Sequence, residues 1–239
     1  MKLTTHVRTA WRERQESPAP AMARIVALAG SIASACIVLS VLIRPEDQGK
    51  AFNFYDERGS VTALSAILLA SAGAWAIAAF LIAPWPQKRY RLFWLIAGCA
   101  FLLLSADELM QFHEKGGAWL YQHTALSKLV DEQGFRNLND LIVILYGVVA
   151  IPVGVLLLPG LVRVPRVLEL LAVAFLFYVL HTAIDSLSEP PTNRSMVLEE
   201  SAKLMSSCFI SLSMLSGLLG AALQAKADQQ RLTKNADAV

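Results

Sequence analysis

Six apolar runs, each about the ~20 residues needed to cross a bilayer core, leave this chain few ways to fold. They lie near 22–43, 61–84, 91–112, 139–161, 166–187 and 200–224. Hydrocarbon offers peptide groups no water, so each spanning segment must satisfy its own backbone and is expected to be an α-helix. The predicted fold class is all-α: a polytopic membrane protein built as a six-transmembrane-helix bundle. Composition agrees, because 17% charged residues and a mean hydropathy of +0.49 fall outside the soluble range of about a quarter charged. The expected organisation is a polar, basic arm over 1–21, a membrane domain over 22–225 and a polar tail over 226–239. The first run is too long for a signal peptide and no clear cleavage site follows it, so it is expected to stay as a span.

Six spans return the chain to the side on which it began. The arm, the second and fourth connections and the tail carry 13 basic and 5 acidic residues, a net +8, against a net −6 on the opposite side. Positively charged loops stay in the cytoplasm, so both termini are expected there, and the protein is expected in a bacterial inner membrane. The small net charge of +2 is divided among loops and gives no patch for nucleic acid.

The second run is rich in Ala63, Ser65, Ala66, Ala70, Ser71, Gly73 and Ala74, and the sixth repeats Ser213, Gly217 and Ala221 at four-residue spacing. Small residues let membrane helices approach closely, so both are expected to be central packing surfaces. Pro152 is expected to kink the fourth span. Cys36, Cys99 and Cys208 lie inside apolar runs and are read as small buried hydrophobes. The 116–139 connection, with Trp119, Tyr121 and Leu126, is expected to form an amphipathic helix on the outer membrane surface. The 44–60 connection is expected to cap the same face.

Polar residues gather where the runs meet that outer face. The third run ends Ser105-Ala106-Asp107-Glu108 and continues to His113-Glu114; the fifth ends with His181 and Asp185; the sixth opens with Glu199, Glu200 and Lys203; the fourth opens with Asn137, Asn139 and Asp140. A carboxylate in hydrocarbon is costly and usually faces a protein interior or a wet cavity. At about 100° per residue, Asp107, Gln111 and Glu114 share a face, whereas His113 falls nearly opposite unless the helix loosens before Gly116-Gly117. His181 shares a face with Asp185, and Lys203 with Glu199 and Glu200.

Imidazole and carboxylate together suit a divalent metal, Zn, Fe or Mn, with Asp107, Glu108, His181 and Asp185 as the expected ligands. Glu114 or Glu200 is then the general base that activates a metal-bound water. The spacing Asp-Glu-x4-His-Glu matches neither the zinc-protease nor the di-iron helix motif. The competing structural reading pairs the acids with Lys203, Lys115, Arg58 or Arg136. In that reading His181 is a satisfied buried histidine, and His6 and His123 are solvated. Ser105 and Ser207 are available hydroxyls, although membrane serines commonly bond backbone carbonyls.

Leu104-Ser105-x-Asp107-Glu108-x4-His113-Glu114, followed by Leu198-Glu199-Glu200-x2-Lys203, resembles an uncharacterised family of bacterial multi-pass membrane proteins, which brings no activity with it. A more distant similarity is to the ceramidase-like membrane hydrolases, which place Ser, Asp and His at helix ends around Zn. This chain lacks their paired His-x3-His and has six spans rather than seven, so no residue role is carried over. The expected function is a metal-dependent hydrolase acting on a lipid or lipid-linked substrate at the outer leaflet. The alternatives are a transporter or proton- and cation-binding protein, and a structural or sensor subunit with a membrane-protein partner. The metal reading predicts about one or two equivalents of Zn, Fe or Mn in detergent-purified protein, lost in Asp107→Ala/Glu108→Ala. Elemental analysis of both proteins checks it, and no metal in either would sink it.

Overall fold

The computed structural model describes residues 19–42, 54–55, 59–82, 88–124, 138–164, 166–187 and 193–236. These form α1 (Ala19–Leu42), α2 (Ser60–Ile82), α3 (Lys88–Met110), α4 (Phe112–His123), α5 (Leu138–Arg163), α6 (Val167–Leu187) and α7 (Asn193–Ala236), with no strand among the described residues. Arg24–Leu42, Ser60–Ile82, Tyr90–Met110, Val167–Asp185 and Arg194–Lys234 are long and apolar enough to cross a membrane. The run expected at 139–161 falls on α5, a helix of 26 residues, whose apolar stretch among the described residues, Ile144–Leu156, is shorter than a span. Among the described residues five candidate spans are therefore found where six were expected. Leu28, Leu81, Leu156 and Leu176 stand 64–69% exposed on four different helices. Large apolar side chains turned outward on long apolar helices are those of a membrane protein, since a soluble surface rarely tolerates such contiguous patches.

α7 is the axis of the bundle. It packs against α1, α2 and α6, while α2 also packs against α3. Hydrogen bonds between helices fix the directions. Ser65 meets Ser207 at 2.7 Å and Thr62 reaches Glu200 at 3.1 Å, so α2 runs parallel to α7. Ser206 donates to the Ala174 carbonyl and Ser213 to the Val167 carbonyl, so α6 runs antiparallel to it. Ser105 donates to the Ala66 carbonyl and Gly98 lies against Gly73, which together set α3 antiparallel to α2. Hydroxyls that bond across helices in this way stabilise membrane bundles without a hydrophobic driving force.

Both expected packing surfaces are found. Ala66, Ala72, Ala76 and Ala79 of α2 are buried, and Gly73 and Gly98 mark a close crossing of α2 and α3. A Cβ on Gly73 would lie 3.0 Å from the Gly98 carbonyl oxygen. On α7, Ser213 and Ala221 are buried, and Gly217 faces the Trp94 indole so closely that an added Cβ would lie 2.0 Å from it. Trp94 in turn packs edge-on against Phe93 within the core of Ala72, Ala76, Met214 and Ala221.

One expectation changes. Only Cys208 is buried; Cys36 and Cys99 are exposed, because they sit on the outward faces of α1 and α3, where lipid rather than protein would cover them. Pro152 and Pro159 lie inside α5, which continues through both. Of the 44–60 connection, Phe54, Tyr55, Gly59 and Ser60 are described. Tyr55 is buried against Val61 and Leu204, and its hydroxyl contacts the Ile37 carbonyl and the Ser40 hydroxyl. That segment does cap the end of the bundle where Lys203 lies.

Gly217→Ala should lower the melting temperature in detergent by several degrees, since overpacking costs about 1–3 kcal/mol. Gly30→Ala is the control, because nothing lies within 4 Å of an added Cβ there. Intrinsic tryptophan fluorescence during heating reads both, and Trp94→Phe should restore part of the loss in the Gly217→Ala background.

Candidate functional site: a polar layer at one end of the bundle

The polar layer sits where α3 and α6 end and α2 and α7 begin. Its centre is Lys203. The ammonium lies 2.6 Å from Glu200 Oε1 on its own helix and 2.8 Å from Glu108 Oε1 on α3. Thr62 on α2 donates to the other oxygen of Glu200. Three side chains from three helices thus gather about one largely buried ammonium, with Glu200 and Lys203 only 4% and 19% exposed. An ammonium in a low-dielectric interior needs such company; one carboxylate balances its charge and a second leaves the group negative. Glu200 and Lys203 were expected to share a face, and they do.

A second pair lies beside it. α3 stops at Met110 because Gln111 adopts a left-handed backbone, φ 54 and ψ 46. α4 starts at Phe112 in a new direction. The break swings His113 round, so that its Nδ1 lies 3.0 Å from Asp107 Oδ2 and its backbone N–H donates to Asp107 Oδ1 at 2.8 Å. Asp107 therefore caps the start of α4, where free N–H groups and the helix dipole favour a carboxylate. Lys115 caps the other side of the break, donating from Nζ to the Met110 carbonyl. His113 was expected to face away from Asp107 unless the helix loosened before Gly116-Gly117, and the break at Gln111 is such a loosening.

The hydrogen bond from Asp107 raises the His113 pKa above its ordinary 6.5. Burial opposes the shift, and the charges of Asp107, Glu114 and Glu108 reinforce it. Glu114 is also close, at 3.8 Å from Nε2. His181 on α6 lies 3.9 Å from Glu199 Oε1, and its buried Nδ1 has no hydrogen-bond partner among the described residues. The expected satisfied histidine is thus unsatisfied at that nitrogen. Asp185 follows one turn later on α6, half-buried.

The residues expected to bind metal are therefore dispersed over separate contacts. Asp107 goes to His113, Glu108 to Lys203, and His181 towards Glu199. Among the described residues no group of three or more His, Cys, Asp and Glu is arranged to hold a metal ion. Lys203 occupies the cation position between Glu108 and Glu200. Of the expected bases, Glu200 is held by Lys203 and Thr62, while Glu114 adjoins His113. Among the expected structural partners, Lys203 takes the acids and Lys115 takes a carbonyl instead; Arg58, Arg136 and His6 lie outside the described residues. Asn137 lies outside them as well, and Asn139 and Asp140 are placed at the start of α5. His123 is exposed as expected and stacks on Trp119. Ser105 bonds a backbone carbonyl and Ser207 bonds Ser65, so both hydroxyls serve packing. Thr62 escaped the sequence reading; its spacing from Ser65, Ala66 and Leu69 along one helical face was the available signal.

Lys203→Met should destabilise the protein by about 3 kcal/mol, because it strands two buried carboxylates. Adding Glu108→Gln should return part of that loss. Thermal unfolding of the two variants in the same detergent checks the order.

No curated protein and no solved structure matches this chain, so the likeness to ceramidase-like hydrolases gains no support. A family model described as a domain of unknown function, DUF8692, matches residues 21–216. That range runs from the start of α1 through most of α7 and includes every residue of the polar layer. The chain belongs to that family, DUF8692.

Proposed function

We propose that this protein is a six-span bacterial inner-membrane protein, α5 included, with both termini in the cytoplasm. Its polar layer is an acid–base site that hydrolyses a lipid or lipid-linked substrate at the outer leaflet. The single observation carrying this reading is the Asp107–His113 contact at 3.0 Å. A carboxylate that holds one imidazole nitrogen fixes the tautomer and leaves the other nitrogen to take a proton from water. Asp107 is the orienting residue and His113 the base. Glu114, beside Nε2, is placed to steady the imidazolium that forms. The Lys203 cluster keeps the floor of the site charged and close to the base.

The remainder of the bundle supports a one-sided site rather than a route across. No Asp, Glu, Lys, Arg or His occurs in 25–43, 60–82, 92–106, 141–162, 170–180 or 204–225. A relay of protons or cations through titratable side chains would need ionisable groups there. The expected divalent metal remains the alternative way to activate water. It would require Lys203 to release Glu108 and Glu200, or His181 and Asp185 to join the acids of α3. A structural reading is favoured by one observation, the pairing of Lys203 with two carboxylates; it makes the layer a clamp between helices.

The test is lipid turnover by purified protein in liposomes of bacterial lipid extract, with products read by mass spectrometry. Neutral His113 is the base and its folded pKa is raised above 6.5, so turnover should rise as pH climbs through that raised value. Asp107→Asn should move the midpoint down, and His113→Gln should abolish the reaction. Stability should run the other way. The charge pair contributes fully below 6.5, the ordinary value, and its contribution is lost as pH rises through the folded value. Turnover that is absent, or unchanged in His113→Gln, would leave the structural clamp as the function of the layer.

A further inference from the structure

The break between α3 and α4 has no glycine or proline at its centre. Gln111 takes the left-handed conformation, which costs an L-residue with a Cβ and is not adopted without compensation. The neighbouring backbone is otherwise helical. Gln111 N–H donates to the Asp107 carbonyl at 2.7 Å, and the Gln111 carbonyl accepts from Lys115 N–H at 3.0 Å. Both are the four-residue bonds of an α-helix. One residue's dihedral angles thus separate the broken helix from a continuous one.

α4 is also lightly seated. Its buried residue is Gly117, its contact on α5 includes Gly116 near Ile142, and Phe112, Trp119 and Tyr121 are exposed. Two side-chain caps help hold the break, Asp107 on the His113 N–H and Lys115 on the Met110 carbonyl, and Gln111 itself is buried.

We propose that Gln111 is a hinge between two arrangements of the α3–α4 junction. In the broken arrangement, described above, α4 lies on α5 and delivers His113 to Asp107. In the other, Gln111 is right-handed and α3 and α4 form one helix. His113 then stands about 120° away from Asp107, six residues on at about 100° each. α4 leaves its seat on α5 and extends along the axis of α3. α4 is therefore a hinged lid, and its closing brings His113 to Asp107 beside the Lys203 cluster. This inference stands on the backbone at Gln111 and not on the chemistry assigned to His113. A failed lipid assay would leave it intact, and the reverse also holds.

The experiment places nitroxides at Trp119→Cys on α4 and Leu198→Cys on α7, both exposed positions. The background replaces Cys36, Cys99 and Cys208 with Ala, and electron–electron resonance measures the distance in liposomes. Two distances should appear, separated by on the order of 10 Å given the length of α4. Gln111→Gly and Gln111→Ala remove the same side-chain contacts and differ only in a Cβ. Glycine accepts the left-handed backbone freely, so the ratio of broken to continuous forms should be about fivefold or more higher in Gln111→Gly than in Gln111→Ala. Asp107→Asn, which weakens the cap, should shift the ratio in the same direction as Gln111→Ala. One distance, identical in the glycine and alanine variants, would overturn the hinge. Neither of those variants alters a charge, so the comparison survives should Asp107→Asn fail to fold.

Discussion

A lysine ammonium buried among apolar helices is tolerable only when carboxylates are brought to it, and the rest of this structure depends on how that is done. Lys203 lies between Glu200 on α7 and Glu108 on α3, with Thr62 of α2 on the far oxygen of Glu200. The three helices must therefore hold a common register at this level, because a charge left alone in the interior costs several kcal/mol. The serines of α7 carry that register along the bundle. Ser207 meets Ser65, Ser206 reaches the Ala174 carbonyl and Ser213 the Val167 carbonyl. A slip of α7 by one residue would misplace all of these together.

Close packing is what allows the charged groups to meet. Gly73 and Gly98 bring α2 and α3 together, and Gly217 admits the Trp94 indole between α3 and α7. Larger side chains at these positions would push α3 away from α7 and draw Glu108 from Lys203. The small residues and the charged layer therefore act as parts of one arrangement, one closing the distance and the other setting the register. The outer surface follows from the same division. With alanine, glycine and serine used inside, the leucines of α1, α5 and α6 face outward, where a bilayer can cover them.

The parts of the site legible in the sequence were those that depend on topology or on short helical spacing. Spans of alternating direction had to deliver Glu108, His181, Glu200 and Lys203 to one end, and the three-residue spacing of Glu200 and Lys203 had to pair them. His113 was not legible. Its contact with Asp107 needs a left-handed residue at Gln111, and glutamine there gives no sign of it. The visible signal, Gly116-Gly117, lies inside α4 rather than at the break. Among the described residues the expected metal ligands stand in separate contacts for a related reason. Residue types that suit a metal also suit one another, and only the fold shows that Lys203 reached Glu108 and Glu200 first.

Sequence alone determined that this chain is helical and membrane-bound, that α2 and α7 pack through small residues, and that its polar groups collect at one end. Those properties follow from hydrophobic length and from spacing within single helices, which local sequence contains in full. The tertiary structure decided which polar groups meet across helices: Lys203 with Glu108, His113 with Asp107, and His181 left with an unsatisfied nitrogen. Such pairings depend on the relative rotation and depth of separate helices and on one backbone break, and no spacing within a single helix encodes them.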